Sequence, residues 1–405
     1  MFTWLRSLSR KRRALLAILL LLVGGAGAAG AWYLRIEAHL KAAQTAHLNH
    51  DDEQSRKEIE AYLATWPRCT RARLLAAQTA RRLRSYDEAS DHLLAYRQNG
   101  GDPDTADVED MLSALQMGTW EMEPLLRPRA EEHGPLEAAI LEVLIQHDID
   151  NYRLDRALAD LDRYLELRPD DLHALLGRAF VWERLLQFSD ALADYRRAVE
   201  KHPDSDSARL KLAKTLLIVG TPEEAREHFE QLMKRRPDWP AVRLGAAQCD
   251  RRLGDRAAAR RLLETLLEER PGDVEALIEI GDLALDDGDL PAAETALRAA
   301  VKHAPHDRKA NYNLYRCLRQ QNRDKEAQAA LAAVERIDAN LKRLDDLTKA
   351  VRREPNNALL RCQVGLLFLE NGETKEGVRW LQGALRIDPR CQEARQALAK
   401  ITQKK

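Results

Sequence analysis

The chain is expected to be an all-α solenoid of about ten helix-turn-helix units preceded by one N-terminal transmembrane helix. Three observations lead there. Prolines stand at 135, 169, 203, 237, 271 and 305, each 34 residues after the last, and a fixed period of that length marks a repeat array. The phase reaches back to Pro67, passing Gly101, and resumes at Pro355 and Pro389. Between prolines, apolar residues fall at helical spacing in two stripes with a polar break between them. Finally, Ala14 to Leu34 is a 21-residue run without a charge, long enough to span a bilayer.

At the amino terminus, residues 1–13 carry Arg6, Arg10, Lys11, Arg12 and Arg13 and no acid. The positive-inside rule keeps them in the cytoplasm and exports the array beyond the 14–34 anchor. The expected localisation is a single-pass membrane protein with a periplasmic array. A signal peptide is the rival: Ala14 to Val23 suits its hydrophobic region, and Ala26-Gly27-Ala28 and Ala29-Gly30-Ala31 resemble cleavage sites. Arg12-Arg13 before Leu15 and Leu16 only faintly fits a twin-arginine signal. The array begins at Ile36 with no linker.

Residues 172–205 show how one unit is built. Leu172, Leu175, Leu176 and Ala179 lead to Trp182 and Leu185; Gln187 to Asp190 interrupt; Ala191, Leu192, Tyr195, Ala198 and Val199 form the second stripe. Pro203 stops the helix, because proline lacks the N–H and clashes with the preceding turn. A helix of about 13 residues is roughly 20 Å long and buries its stripe only by stacking on neighbours.

This unit resembles the tetratricopeptide repeat (TPR). The small residue of its first helix matches Ala43, Ala77, Ala179, Ala213, Ala247, Gly281 and Gly365. The alanine opening the second helix matches Ala89, Ala157, Ala191, Ala225, Ala259, Ala293 and Ala327. The large apolar position matches Leu93, Leu161, Tyr195, Phe229, Leu263, Leu297, Leu331 and Leu381. The resemblance covers 36–391 and implies a right-handed solenoid. Units start at 36, 70, 104, 138, 172, 206, 240, 274, 308 and 358. The unit at 104–137 is degenerate, with Pro124, Pro128 and Glu123 in its second helix. The 16 extra residues at 340–355 keep Leu341, Leu344, Leu347 and Val351 at helical spacing, which reads as an elongated helix forming a ledge. Residues 392–405, with Ala394, Ala397, Leu398 and Ile401, read as a capping helix.

Lys plus Arg total 64 and Asp plus Glu 65, a balance that argues against nucleic acid, whose phosphates demand a basic surface. The five cysteines form no C-x-x-C pair, so no zinc or redox site is signalled, and they fit a core as small apolar residues. No phosphate loop, nucleophile elbow or H-E-x-x-H occurs. His47 and His50, beside Asp51 and Asp52, fit a polar helix end better than a metal site; His303 and His306 flank a junction. No cofactor, metal or catalytic residue is expected.

The family resemblance implies that first helices line a concave groove through their positions 2, 5, 9 and 12. Position 9 holds Gln44, Gln78, Gln146 and Gln248, with Phe180, Lys214, Asp282 and Arg316 in other units; Arg81, Arg251, Tyr312 and Arg319 flank it. A recurring amide can pair with a peptide backbone or with sugar hydroxyls, though glutamine is also simply a good helix former. The clamp by which some family members grip chaperone tails is absent: Asn313 fits it, but Ile278, Asp282, Leu359 and Gln363 do not. The expected function is a non-catalytic, membrane-anchored scaffold in a bacterial envelope that binds a protein or peptide. The alternatives are an assembly factor for envelope polysaccharide, binding glycan or its synthesis machinery, and an organelle-surface receptor with a cytosolic array.

Overall fold

The computed structural model describes residues 30–402. They are all helices and turns, with no strand among the described residues. The chain divides into two compact units, Met1–Ile140 and Leu141–Lys405. The first contains α1 (30–48), α2 (Asp52–Thr65), α3 (Thr70–Arg82), α4 (Tyr86–Gln98), α5 (Pro103–Met117), a 3-10 turn (Trp120–Met122) and α6 (Glu123–Glu131). Helix α6 is only nine residues long and carries Pro128 inside it. Helix α7 (Glu137–Asp150) leads into the second unit.

There α8 (Leu154–Leu167), α9 (Leu172–Arg184), α10 (Phe188–Lys201), α11 (Asp206–Val219), α12 (Pro222–Arg235), α13 (Pro240–Arg252), α14 (Arg256–Glu269), α15 (Val274–Asp286), α16 (Leu290–His303) and α17 (Arg308–Gln320) follow in pairs. The 30-residue α18 (Asp324–Arg353) precedes α19 (Ala358–Glu370), α20 (Thr374–Ile387) and α21 (Gln392–Thr402). Its end does not stand out as a ledge: Val351 is fully buried against Val364, Phe368 and Trp380.

Local chemistry punctuates these helices. Asp51, Asp102, Asp171, Ser205, Asp255, Asp273, Asp289, Asp307 and Asn357 accept a backbone N–H of the first turn they precede, satisfying an orphan donor. The boundary prolines also supply acceptors. The carbonyls of Pro67, Pro203, Pro237, Pro305 and Pro355 receive a side-chain N–H from the residue six positions on: Arg73, Arg209, Arg243, Asn311 and Arg361.

The turn inside each pair has its own period. Residues 50, 84, 118, 152, 186, 220, 254, 288 and 322, then 372, all have positive φ. The residue after each donates its N–H to a carbonyl five positions back, as in Thr221 to Leu216 and Arg153 to Asp148, the C-terminal closure that a left-handed residue permits. Glycine fills this place at 118, 220, 254, 288 and 372, but His50, Arg84, Tyr152, Leu186 and Asn322 occupy the rest. A side chain there costs about 1–2 kcal/mol.

The core follows the small-to-large pairing in the sequence. Ala43, Ala77, Ala179, Ala213 and Ala247 are buried, as are Leu93, Tyr195, Phe229, Leu297 and Leu381. A Cβ on Gly281 would sit 2.7 Å from Leu297 Cγ, so the first helix lies against the large residue of its partner.

The expected single-pass membrane protein is not upheld. No helix among the described residues is long and apolar enough to cross a membrane. Helix α1 carries Arg35, Glu37, His39 and Lys41 within its first half or at its middle, and such charges are costly in hydrocarbon. The rest of the proposed span, 14–29, lies outside the described residues, as do 1–13 and 403–405.

Candidate partner-binding face

Two segments five periods apart, Ala76 to Arg82 and Ala246 to Arg252, share Ala-Ala-Gln-x-x-Arg-Arg and build the same joint. In the first unit, Gln78 Nε2 donates to Glu109 Oε1 at 2.7 Å and Arg81 Nε to Glu109 Oε2 at 3.0 Å. In the second, Gln248 Nε2 donates to Glu279 Oε1 at 3.3 Å and Arg251 Nε to Glu279 Oε2 at 2.9 Å. The second arginine of each segment reaches backwards, Arg82 to the carbonyl of His47 and Arg252 to that of Leu217. Each segment thus ties its first helix to the first helix before it and the one after it.

The expected glutamine row is therefore not a row of free amides. Gln78 and Gln248 are engaged between repeats, and Gln146 donates to Asp150 Oδ1 within its own helix. Gln44 is half-buried on α1. Arg81 is 1% exposed and lies inside the first unit.

On the second unit the face made by α9, α11, α13, α15 and α17 changes character along its length. Phe180 is half-buried and Lys214 is exposed. Lys214 borders a cavity of about 590 Å³ with Ala241, Leu244, Val274 and Glu275. Beyond it lies a charge cluster. Lys309 Nζ sits 2.7 Å from Glu279 and 3.2 Å from Asp282; Arg251 and Arg316 approach Asp282 at 3.8 and 3.9 Å, and Asn313 donates to it. Both acids are buried while the cations are partly exposed. Tyr312 is 42% exposed, under the Arg308 guanidinium. Arg319 pairs with Asp324.

Sequence reasoning places Gln248, Arg251, Asp282 and Arg316 on this face; Lys309 falls at position 2 of its helix, a groove position it does not single out, and Glu279 falls outside the expected positions. The signal that would find the glutamate is a spacing: a glutamate 31 residues after the glutamine and 28 after the arginine, twice over.

Burial pushes the Glu279 carboxyl up, but Lys309, Arg251 and Gln248 outweigh it and leave it below the ordinary glutamate value of 4.5. A depressed folded value stabilises the fold above the ordinary value, and the benefit is lost as pH falls below it. We therefore expect Glu279→Gln to lower the urea midpoint at pH 7, by more than at an acid pH well below the ordinary glutamate value. A gap that is equal at both pH values would show that ionised Glu279 does not contribute.

A family model described as tetratricopeptide repeat matches residues 216–279 and 284–347, and a second with the same description matches 50–103, 143–206 and 183–241; together they cover more than half of the chain. No curated protein matches. Among solved structures, the chain is similar to a tetratricopeptide repeat protein from Parabacteroides merdae ATCC 43184, at 16% identity and TM-score 0.48, over 69% of this chain and 98% of that one. It is also similar to PilW, described as a widely conserved type IV pilus biogenesis factor, at 18% identity and TM-score 0.41, over 52% and 94%. YrrB, described as a TPR protein with an unusual peptide-binding site, aligns at 15% identity and TM-score 0.32, over 59% and 97%.

Proposed function

The chain belongs to the tetratricopeptide-repeat family, and from that premise we propose that it is a non-catalytic scaffold that holds a protein or peptide segment against the first-helix face of its second unit. The observation that carries this is the gradation of that face. It runs from Phe180 and the cavity beside Lys214 to the partly exposed cations Lys309 and Arg316 and the exposed ring of Tyr312. A recess lined by Ala241, Leu244 and Val274 together with Lys214, Arg270, Asp273 and Glu275 suits a side chain of mixed character on an extended segment, while partly exposed charges fix the segment's register. The buried acids Glu279 and Asp282 hold those cations in place.

Site-specific photo-cross-linking tests the reading. A photoreactive residue at Lys214 and another at Tyr312 should capture the same partner, whereas one at exposed Glu264 on α14 should not. Capture that is equal from all three positions, or absent from the first two, would place the binding surface elsewhere.

A further inference from the structure

Glycine is the unstrained occupant of the left-handed turn position, yet between α7 and α8 that position is Tyr152, with φ +57°. Its ring is engaged at long range. It lies 5.4 Å from the Trp380 ring, and the Arg184 guanidinium stands 5.4 Å over it. The residues around it reach some 200 positions along the chain. Arg361 Nη2 donates to the Asn151 carbonyl at 2.7 Å, Arg153 Nη2 to Asn356 Oδ1 at 3.2 Å, and Arg352 Nη2 to both oxygens of Asp155 at 3.0 Å. Arg379 Nη1 is 4.0 Å from Asp150. The turn thus plugs a socket formed by the end of α18 and by α19 and α20, fastening the start of the second unit to its far end.

We propose that this turn and socket form a releasable clasp that closes the second unit on itself and governs access to its first-helix face. The clasp stands on its own contacts; its control of the face rests on the proposed binding function. The contacts suit release. Arg352 and Asp155 are 38% and 74% exposed, and exposed pairs hold weakly and are screened by salt. The socket also holds a charge that no carboxylate neutralises. Arg361 is 2% exposed, donates to the carbonyls of Pro355 and Asn151 and lies 5.6 Å over the Trp380 ring, with no carboxylate partner among the described residues. Burial, with Arg153 and Arg386 nearby, pushes its pKa down to about 10. The buried Trp380 Nε1 has no acceptor among the described residues. From the turn, Tyr152 packs on the apolar cluster of Val351, Val364, Phe368 and Trp380, whereas adjacent helices elsewhere in the unit share whole apolar stripes, so this seam has less to hold it closed.

Pulsed electron spin resonance between labels at Ala159→Cys and Lys375→Cys, both exposed sites, in full-length Cys69→Ser protein, reads the clasp without a partner. The closed protein should give one narrow distance. Tyr152→Gly removes the ring while relieving the backbone, and should add a longer-distance population of at least about one third, as should salt at about 1 M, where the screening length falls to about 3 Å. Leu186→Gly gives the same backbone relief at a turn whose side chain is 75% exposed, and should leave the distance unchanged. Arg352→Glu, which sets like charges against each other at Asp155, should open the clasp independently. Superimposable distributions for Tyr152→Gly, Arg352→Glu and the unsubstituted protein would overturn the clasp. Cross-linking at Tyr312 that is equal in Tyr152→Gly and in the unsubstituted protein, with the distances behaving as stated, would overturn the control of the face and leave the clasp; no cross-linking at Tyr312 in the unsubstituted protein would overturn only the binding reading.

Discussion

Replacing Glu109 with alanine is expected to destabilise the first unit by about 3–5 kcal/mol, the usual cost of removing one partner from a buried ion pair. Arg81 and Glu109 are each 1% exposed, and the carboxylate serves both Arg81 and Gln78. Without it, the guanidinium, itself 1% exposed, keeps only Gln116 Oε1 at 3.3 Å. Because the loss arises from an uncompensated charge, Arg81→Met combined with Glu109→Leu should recover most of it. Urea denaturation, with hydrogen exchange of α3 to α5 to localise the effect, distinguishes the two. A cost below about 1 kcal/mol for the single change would mean that the pair is wetter than its burial indicates.

The second large effect lies in the apolar core of the other unit. Phe229 is fully buried, and its ring carbons lie 2.2 Å from where a Cβ on Gly245 would sit. Phe229→Ala should cost about 3–5 kcal/mol as a cavity, and Gly245→Ala about 1–3 kcal/mol as overpacking. The two penalties share one volume, so they should not add. In the Phe229→Ala background, Gly245→Ala should be neutral or mildly stabilising, since alanine is the better helix former by about 1 kcal/mol and partly fills the space. A double-mutant cycle whose terms add within about 0.5 kcal/mol would show that ring and glycine are energetically independent.

The arrangement of helices is legible in the sequence because the 34-residue phase of proline, small residue and large residue is written locally, and each unit repeats it. The left-handed turn position is not, although its period is just as strict. Glycine marks only half of its occurrences, and Arg84 or Leu186 gives no hint of positive φ. Glu109 and Glu279 are hidden for a different reason. Carboxylates abound in this chain, so a carboxylate that becomes buried looks no different from its solvated neighbours until the next helix is in place. The same holds for Arg81, which reads as a rim residue and lies in the interior. The Tyr152 contacts depend on how several stacked pairs accumulate, and no local pattern encodes a contact between residues some 200 apart. At the amino terminus the composition of 14–34 alone suggests a membrane span, and α1 with its charges does not uphold it.

Helix α18 can also be regarded as a gauge. It runs for 30 residues without a break, roughly 45 Å at about 1.5 Å per residue. Each residue along it therefore fixes a distance and, at about 100° per residue, a bearing. Removing two residues would swing Val351 about 200° away from Phe368 and Trp380. Removing seven would restore the bearing to within about 20° but draw the last pair back by about 10 Å. Only one length brings the socket to Tyr152 at the right height and facing the right way, so in this segment the number of residues matters more than their identity.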